Sequence, residues 1–254
     1  MNVRGLILSL PLLLLAGCAG VTSGGALETD YEANEVAQTN MRLGVAYMQD
    51  GNYEKALEKL LRARSADASY PMVHNMLGLL YQRLGESAKA EDSFEDGLDL
   101  APNNPNLLNN YGQFQCRENR PDEAEEAFMK ARKNPLNNNP ARALTNAGTC
   151  AMRNDNLNRA ESHYREALQL NPQQQLALIQ MADIQYQNGE YLSARGYLQR
   201  YLEVADHTPR SLWLGIRIEN ELGDADKVSS YGLLLKSNFP DSEEARLLSE
   251  SGLK

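Results

Sequence analysis

The chain has 254 residues, 42% of them hydrophobic and 23% charged, enough apolar material for the core of one large domain or two ordinary ones, which excludes a disordered tail. Twenty-five Lys and Arg face 34 Asp and Glu, a net charge of −9 with no basic cluster able to neutralise a row of phosphates, so nucleic acid is not expected as the main ligand. Three His and three Cys, well scattered, leave little material for a metal site or a nucleophile–base pair, and no cofactor, metal or small-molecule substrate is expected.

Residues 1–17 open with Met-Asn-Val-Arg, pass through an apolar stretch over 6–15 and end in Leu15, Ala16 and Gly17 before Cys18. The run is too short for a stable spanning helix and reads as a secretory signal peptide. The order Leu-Ala-Gly-Cys resembles the bacterial lipobox, which implies cleavage before Cys18 and acylation of that residue. Several buried acyl chains, at about 0.8 kcal/mol per CH₂, would hold the chain on a membrane. Ala19, where an Asp would signal retention at the inner membrane, implies by the same resemblance a lipid anchor in the outer membrane with the protein on its periplasmic face. Residues 18–36 are read as the lipidated cysteine and a tether, flexible where Gly and Ser dominate, with an acidic half that can begin a helix.

Gly44, Gly78, Gly112 and Gly148 recur at intervals of 34, 34 and 36, which sets a frame of six repeats over 37–240: 37–70, 71–104, 105–140, 141–174, 175–208 and 209–240. The fifteenth place holds Gly51, Gly85, Asn119, Asp155, Gly189 and Gly223, residues that tolerate a left-handed backbone between two helices. Ala56, Ala90, Ala124, Ala160, Ala194 and Val228 fill the twentieth place, where two helices touch closely. Leu60, Phe94, Phe128, Tyr164 and Leu198 fill the twenty-fourth, and Pro102, Pro172 and Pro240 stand ready to stop the second helix. These columns are the tetratricopeptide (TPR) pattern: an all-α, right-handed superhelix of helix pairs. The frame gains two residues in the Asn- and Pro-rich stretch 134–140, an expected loop. Asp241, with Glu244 three places on, predicts a capping box opening a short helix to about Ser249 within the tail 241–254, which would cover the last repeat.

Such an array presents a concave wall lined by the first helix of each pair. In repeats one and two that wall supplies Met41, Val45, Met48, Met72, Met76 and Leu79, an adaptable apolar surface. In repeats three and four it supplies Asn109, Asn110, Gln113, Arg117, Arg142, Asn146 and Arg153, a polar and cationic surface. The first half fits an apolar peptide or strand, and the second offers hydrogen bonds and charge to extended backbone or acidic groups. The competing reading is that several of the methionines pack against residues 26–36. Trp213 either anchors a ligand on the concave side or, the preferred reading, packs under the final helix. Cys116 and Cys150 lie on first helices of neighbouring repeats and are the thiols left once Cys18 is acylated. In an oxidising compartment a disulfide clamping repeats three and four is the simple reading, with two separate buried thiols as the alternative, because sequence does not show how closely the Cβ atoms approach. His74, His163 and His207 show no metal spacing, and the acidic surplus, for example Glu123, Glu125 and Glu126, reads as solvated convex faces.

Several stretches go beyond generic TPR columns: 79–85 (Leu-Leu-Tyr-Gln-Arg-Leu-Gly), 109–112 (Asn-Asn-Tyr-Gly), 141–144 (Ala-Arg-Ala-Leu), 146–148 (Asn-Ala-Gly) and 211–218 (Ser-Leu-Trp-Leu-Gly-Ile-Arg-Ile). With the lipobox, the repeats and the cysteine pair, they make the whole chain resemble the PilF/PilW pilotins, the type IV pilus biogenesis and stability lipoproteins. The resemblance implies a monomeric, non-enzymatic outer-membrane lipoprotein. Such a protein binds the secretin subunit PilQ and promotes assembly of the ring through which the pilus passes. The rival reading is a TPR lipoprotein adaptor for peptidoglycan enzymes or for the outer-membrane assembly machinery.

Overall fold

A computed structural model describes residues 33–253, so the signal peptide, Cys18 and the tether up to residue 32 lie outside the described residues. The described residues contain thirteen helices and no strand: α1 (Glu35–Gln49), α2 (Tyr53–Ala66), α3 (Pro71–Leu84), α4 (Ser87–Leu100), α5 (Pro105–Arg117), α6 (Pro121–Lys133), α7 (Pro140–Arg153), α8 (Leu157–Leu170), α9 (Gln175–Gln187), α10 (Tyr191–Leu202), α11 (Pro209–Glu221), α12 (Ala225–Asn238) and α13 (Glu243–Ser251). Each repeat is one helix pair, and each helix packs on its neighbours in sequence. The odd-numbered helices α1, α3, α5 and α7 also touch in succession and form the inner wall of a TPR superhelix.

Local chemistry explains where the helices begin. Pro71, Pro105, Pro121, Pro140 and Pro209 open their helices at the first position, where a missing N–H costs nothing. The side chains of Asn34, Asn52, Asn139, Asn156 and Asp224 accept from backbone N–H groups two or three residues on, satisfying donors that the helix itself leaves open. The turns between paired helices take left-handed backbone at the fifteenth place: φ is +74° at Gly51, +75° at Gly85, +78° at Gly189 and +72° at Gly223, with Asn119 at 59° and Asp155 at 57°.

Close packing inside each pair explains the glycine column. A Cβ on Gly44 would stand 2.7 Å from Leu60, on Gly78 2.8 Å from Phe94, on Gly112 2.7 Å from Phe128 and on Gly148 2.7 Å from Tyr164. The large residue of the second helix thus sits directly on the bare backbone of the first. Repeat six departs from the frame: Gly215, one place early, meets Tyr231 at 2.9 Å.

Helix α1 opens within the acidic end of the tether, at Glu35, two residues before the first repeat's frame, because Asn34 caps it by accepting from Val36 N at 2.8 Å. The final helix differs from expectation at both ends. The final helix is capped by Ser242, not Asp241: Ser242 has the extended backbone of a cap, and its Oγ accepts from Ala245 N at 3.2 Å. The helix also runs on to Ser251. The expected longer loop separates α6 from α7, and Asn137 donates its side-chain amide to Ala131 O at 2.8 Å, closing the carbonyl end of α6. Trp213 is half-buried and packs on the cluster that α13 completes with Ala245 and Leu248.

Candidate protein-binding groove

The inner wall is built from rungs in which the fifth place of one repeat lies against the sixth place of the next. Between repeats two and three, Asn110 donates to Asn75 Oδ1 at 3.0 Å. Between repeats three and four, Asn146 donates to Asn109 Oδ1 at 3.2 Å, while Asn109 donates to Pro105 O at 2.8 Å. The equivalent residues of repeats one and two are Met41 and Met76, which join one apolar cluster with Met72, Leu79 and Ala33 around buried Met48. One geometric position therefore carries sulfur and hydrocarbon at one end of the groove and amides in the middle.

Of the six apolar residues expected to line the first half, Met41, Val45, Met72, Met76 and Leu79 are half-buried and line a surface. Met48 is buried and forms its floor. Of the residues between 26 and 36 that could cover the methionines, only 33–36 are described; Ala33 packs into the methionine cluster.

In the middle repeats the structure corrects one expectation. Asn109 is 1% exposed and faces the rung, not a ligand, because its amide and carbonyl are both bonded within the wall. Asn110 and Asn146 stay half-exposed above the rungs, and Gln113 is exposed. Arg142 is tied to Asn106 Oδ1 at 2.7 Å. Arg117 and Arg153 have neither an ion pair nor a hydrogen-bond partner among the described residues.

The thirteenth place carries a signal that the expected lining residues include only in part. Arg83, Arg117 and Arg153 hold that place in three consecutive repeats, one near the end of each of the successive inner-wall helices α3, α5 and α7, and make an arginine stripe across them. Arg83 donates to Met48 O at 3.2 Å and so neutralises the carbonyl end of α1. Beyond repeat four Arg210 and Arg217 find partners within the wall. Arg210 donates to Gln180 Oε1 at 2.9 Å and to Asp183 at 3.1 Å, and the Arg217 guanidinium lies 4.2 Å from the centre of the Tyr186 ring. Repeats one to four are thus where unpaired wall arginines and half-buried methionines stand among the described residues.

Behind the groove, repeats three and four are locked together. Cys116 of α5 and Cys150 of α7 form a disulfide with their Cα atoms 5.8 Å apart. On the outer side Arg132 of α6 pairs with Glu166 of α8, and Glu125 of α6 pairs with Arg159 and lies 3.5 Å from His163 Nε2. Burial pushes His163 below the ordinary imidazole value; Glu125 and Glu166 oppose that shift and Arg159 adds to it. His74 is buried, with Nε2 2.7 Å from Ala68 O, and His207 packs against Tyr231 with ring centroids 5.8 Å apart. No group of three His, Cys, Asp or Glu among the described residues could hold a metal ion.

Comparison with known proteins gives the array a family. Tetratricopeptide-repeat family models match residues 35–103 and 75–138, and the model of the middle TPR-like domain of cilia and flagella-associated protein 70 matches 132–227. Over 246 residues, 96% of this chain and 97% of the relative, the chain is 32% identical to type IV pilus assembly protein PilF of Pseudomonas aeruginosa. The crystal structure of PilW, described as a widely conserved type IV pilus biogenesis factor, matches with a TM-score of 0.74 at 30% identity, covering 85% of this chain and 99% of PilW. The structure of Pseudomonas aeruginosa PilF matches equally, with a TM-score of 0.74 at 30% identity over 85% of this chain and 98% of that one. The likeness spans the whole repeat array, and the chain belongs to the PilF/PilW family of type IV pilus biogenesis TPR proteins.

Proposed function

We propose that this protein is a non-enzymatic pilotin. Acylated Cys18 anchors it in the outer membrane, and its groove holds the secretin subunit PilQ during delivery and ring assembly. The observation that carries the reading is the change of chemistry along one wall. The half-exposed methionines of repeats one and two offer an adaptable apolar surface, next to amide rungs and unpaired arginines that suit extended backbone and carboxylates. An apolar surface of this kind, half-exposed among the described residues beside polar groups, supports a partner chain as its occupant. The apolar half is the grip, and the arginine stripe orients the rest of the bound segment.

Grip and address separate in one experiment. The lipidated protein and a Cys18→Ala form are each used to capture partners from envelope extracts of the native bacterium, with PilQ multimers scored by gel in both strains. Capture of PilQ by both forms, with multimers lost or misplaced only in the Cys18→Ala strain, is the expected result. Capture of peptidoglycan enzymes or outer-membrane assembly factors without PilQ would replace this reading with that of a general lipoprotein adaptor.

A further inference from the structure

The outer side of repeats two and three carries a cavity of about 340 Å³ where α4 and α6 flank α5. Its floor is apolar, made by Leu98, Leu108, Tyr111 and Ala127. Its rim is acidic: Asp99, Glu123 and Glu126 are exposed and form no ion pair among the described residues, and Lys130 stands beside them without a partner. Tyr111 stays an uncharged phenol that donates to Glu95 Oε1 at 3.5 Å, because burial, assisted by Glu95 and Glu91, pushes it above the ordinary value.

The neighbouring repeats show what normally fills this gap. Between repeats three and four, Arg132 and Glu166 occupy the frame places of Leu98 and Lys130, and their ion pair bridges α6 to α8. Between repeats four and five, Arg200 occupies the place of Lys130 and donates to the carbonyl of Pro172, the counterpart of Pro102, at 3.2 Å, over a buried Leu168. Between repeats two and three neither bridge forms. Leu98 cannot pair, Lys130 reaches no partner, and an apolar floor remains open under uncompensated carboxylates.

We propose that this cavity is a second docking site, separate from the concave groove, for a basic amphipathic segment of another protein that places an aliphatic or aromatic side chain on the floor and Lys or Arg against the rim. The charge of the rim selects the occupant. An acidic or purely apolar segment would leave Asp99, Glu123 and Glu126 unpaired, whereas a cation beside an apolar anchor satisfies both layers at once.

The test titrates the full chain with a fluorescein-labelled hexapeptide of alternating Lys and Leu, alongside Glu-Leu and Lys-Ser peptides of the same length. The Lys-Leu peptide is expected to bind saturably and the other two at least about tenfold more weakly. The decisive variant, Leu98→Arg with Lys130→Glu, copies the Arg132–Glu166 bridge into the open gap. It makes the chain one charge more acidic, so general attraction for a cationic peptide would rise, yet a closed cavity should cut binding by about tenfold or more. Circular dichroism and the melting curve check that this variant folds, and Glu126→Lys provides an independent variant with the same expected loss. Undiminished Lys-Leu binding by the bridged variant would overturn the proposal, as would equal binding of the Glu-Leu peptide or no saturable binding at all. A dimer in light scattering that the bridge abolishes would also overturn it, because the occupant would then be a second copy of the chain.

Discussion

Repeats one and two and repeats three and four are built on the same frame, yet they hold together by different means. Both pairs use bare glycine backbone under a large side chain and left-handed turns, positions where geometry leaves little choice. At the rung where first helices of adjacent repeats meet, the first pair places Met41 and Met76 while the second places Asn109 and Asn146. The second pair also carries the Cys116–Cys150 disulfide and the Arg132–Glu166 bridge. The two pairs divide the labour. The middle of the array is cross-linked by a disulfide, an ion pair and amide rungs, whereas the N-terminal end presents soft, half-buried apolar side chains among the described residues.

The contrast between the two pairs can be broken at several points. Removing the disulfide with Cys116→Ala and Cys150→Ala should have the largest effect: closing a loop of this length contributes about 3–4 kcal/mol in the chain-entropy model, read as a lower denaturant midpoint. Gly112→Ala should cost about 2 kcal/mol, because a new Cβ would press on the Phe128 ring, which has nowhere to retreat. An unchanged midpoint for that variant would mean that the helix pair is looser than its contacts indicate. Asn146→Ala should cost about 1 kcal/mol by deleting one rung hydrogen bond, and the same measurement reads it.

The smallest effect is expected from pH. His163 is buried with its imidazole value lowered, so it contributes stability while neutral. That stability is fully present above the ordinary imidazole value and is lost as pH falls through the depressed folded value. Stability should therefore drop on mild acidification, and His163→Gln should flatten that part of the pH profile. A wild-type profile already flat below neutrality would contradict the assignment.

Legibility in the sequence tracks the physical origin of each feature. The frame is readable because Gly44, Gly78, Gly112 and Gly148, the alanine column and the left-handed residues are demanded by backbone geometry alone, which repeats with the sequence. Asn109 departs from expectation because the fifth place lies at the margin between wall and surface, and only its bonds to Pro105 and Asn146 decide which way it turns. The cap of α13 lies one residue beyond the expected one because Asp241 and Ser242 are both good capping types, and the backbone path chooses between them. The outer cavity is invisible in the sequence. It depends on whether side chains about one repeat apart reach each other, as Arg132 reaches Glu166 and Lys130 reaches nothing, and no local pattern records that.

The most direct test of the division of labour is a binding titration of purified PilQ against three forms of the protein: wild type, Met41→Glu with Met76→Glu, and Arg117→Ser with Arg153→Ser, each checked for unchanged helicity. Charge in the methionine surface is expected to lower affinity by about 100-fold or more, whereas loss of the arginines should weaken it by about tenfold or less. Normal PilQ binding by the correctly folded methionine variant would contradict that division.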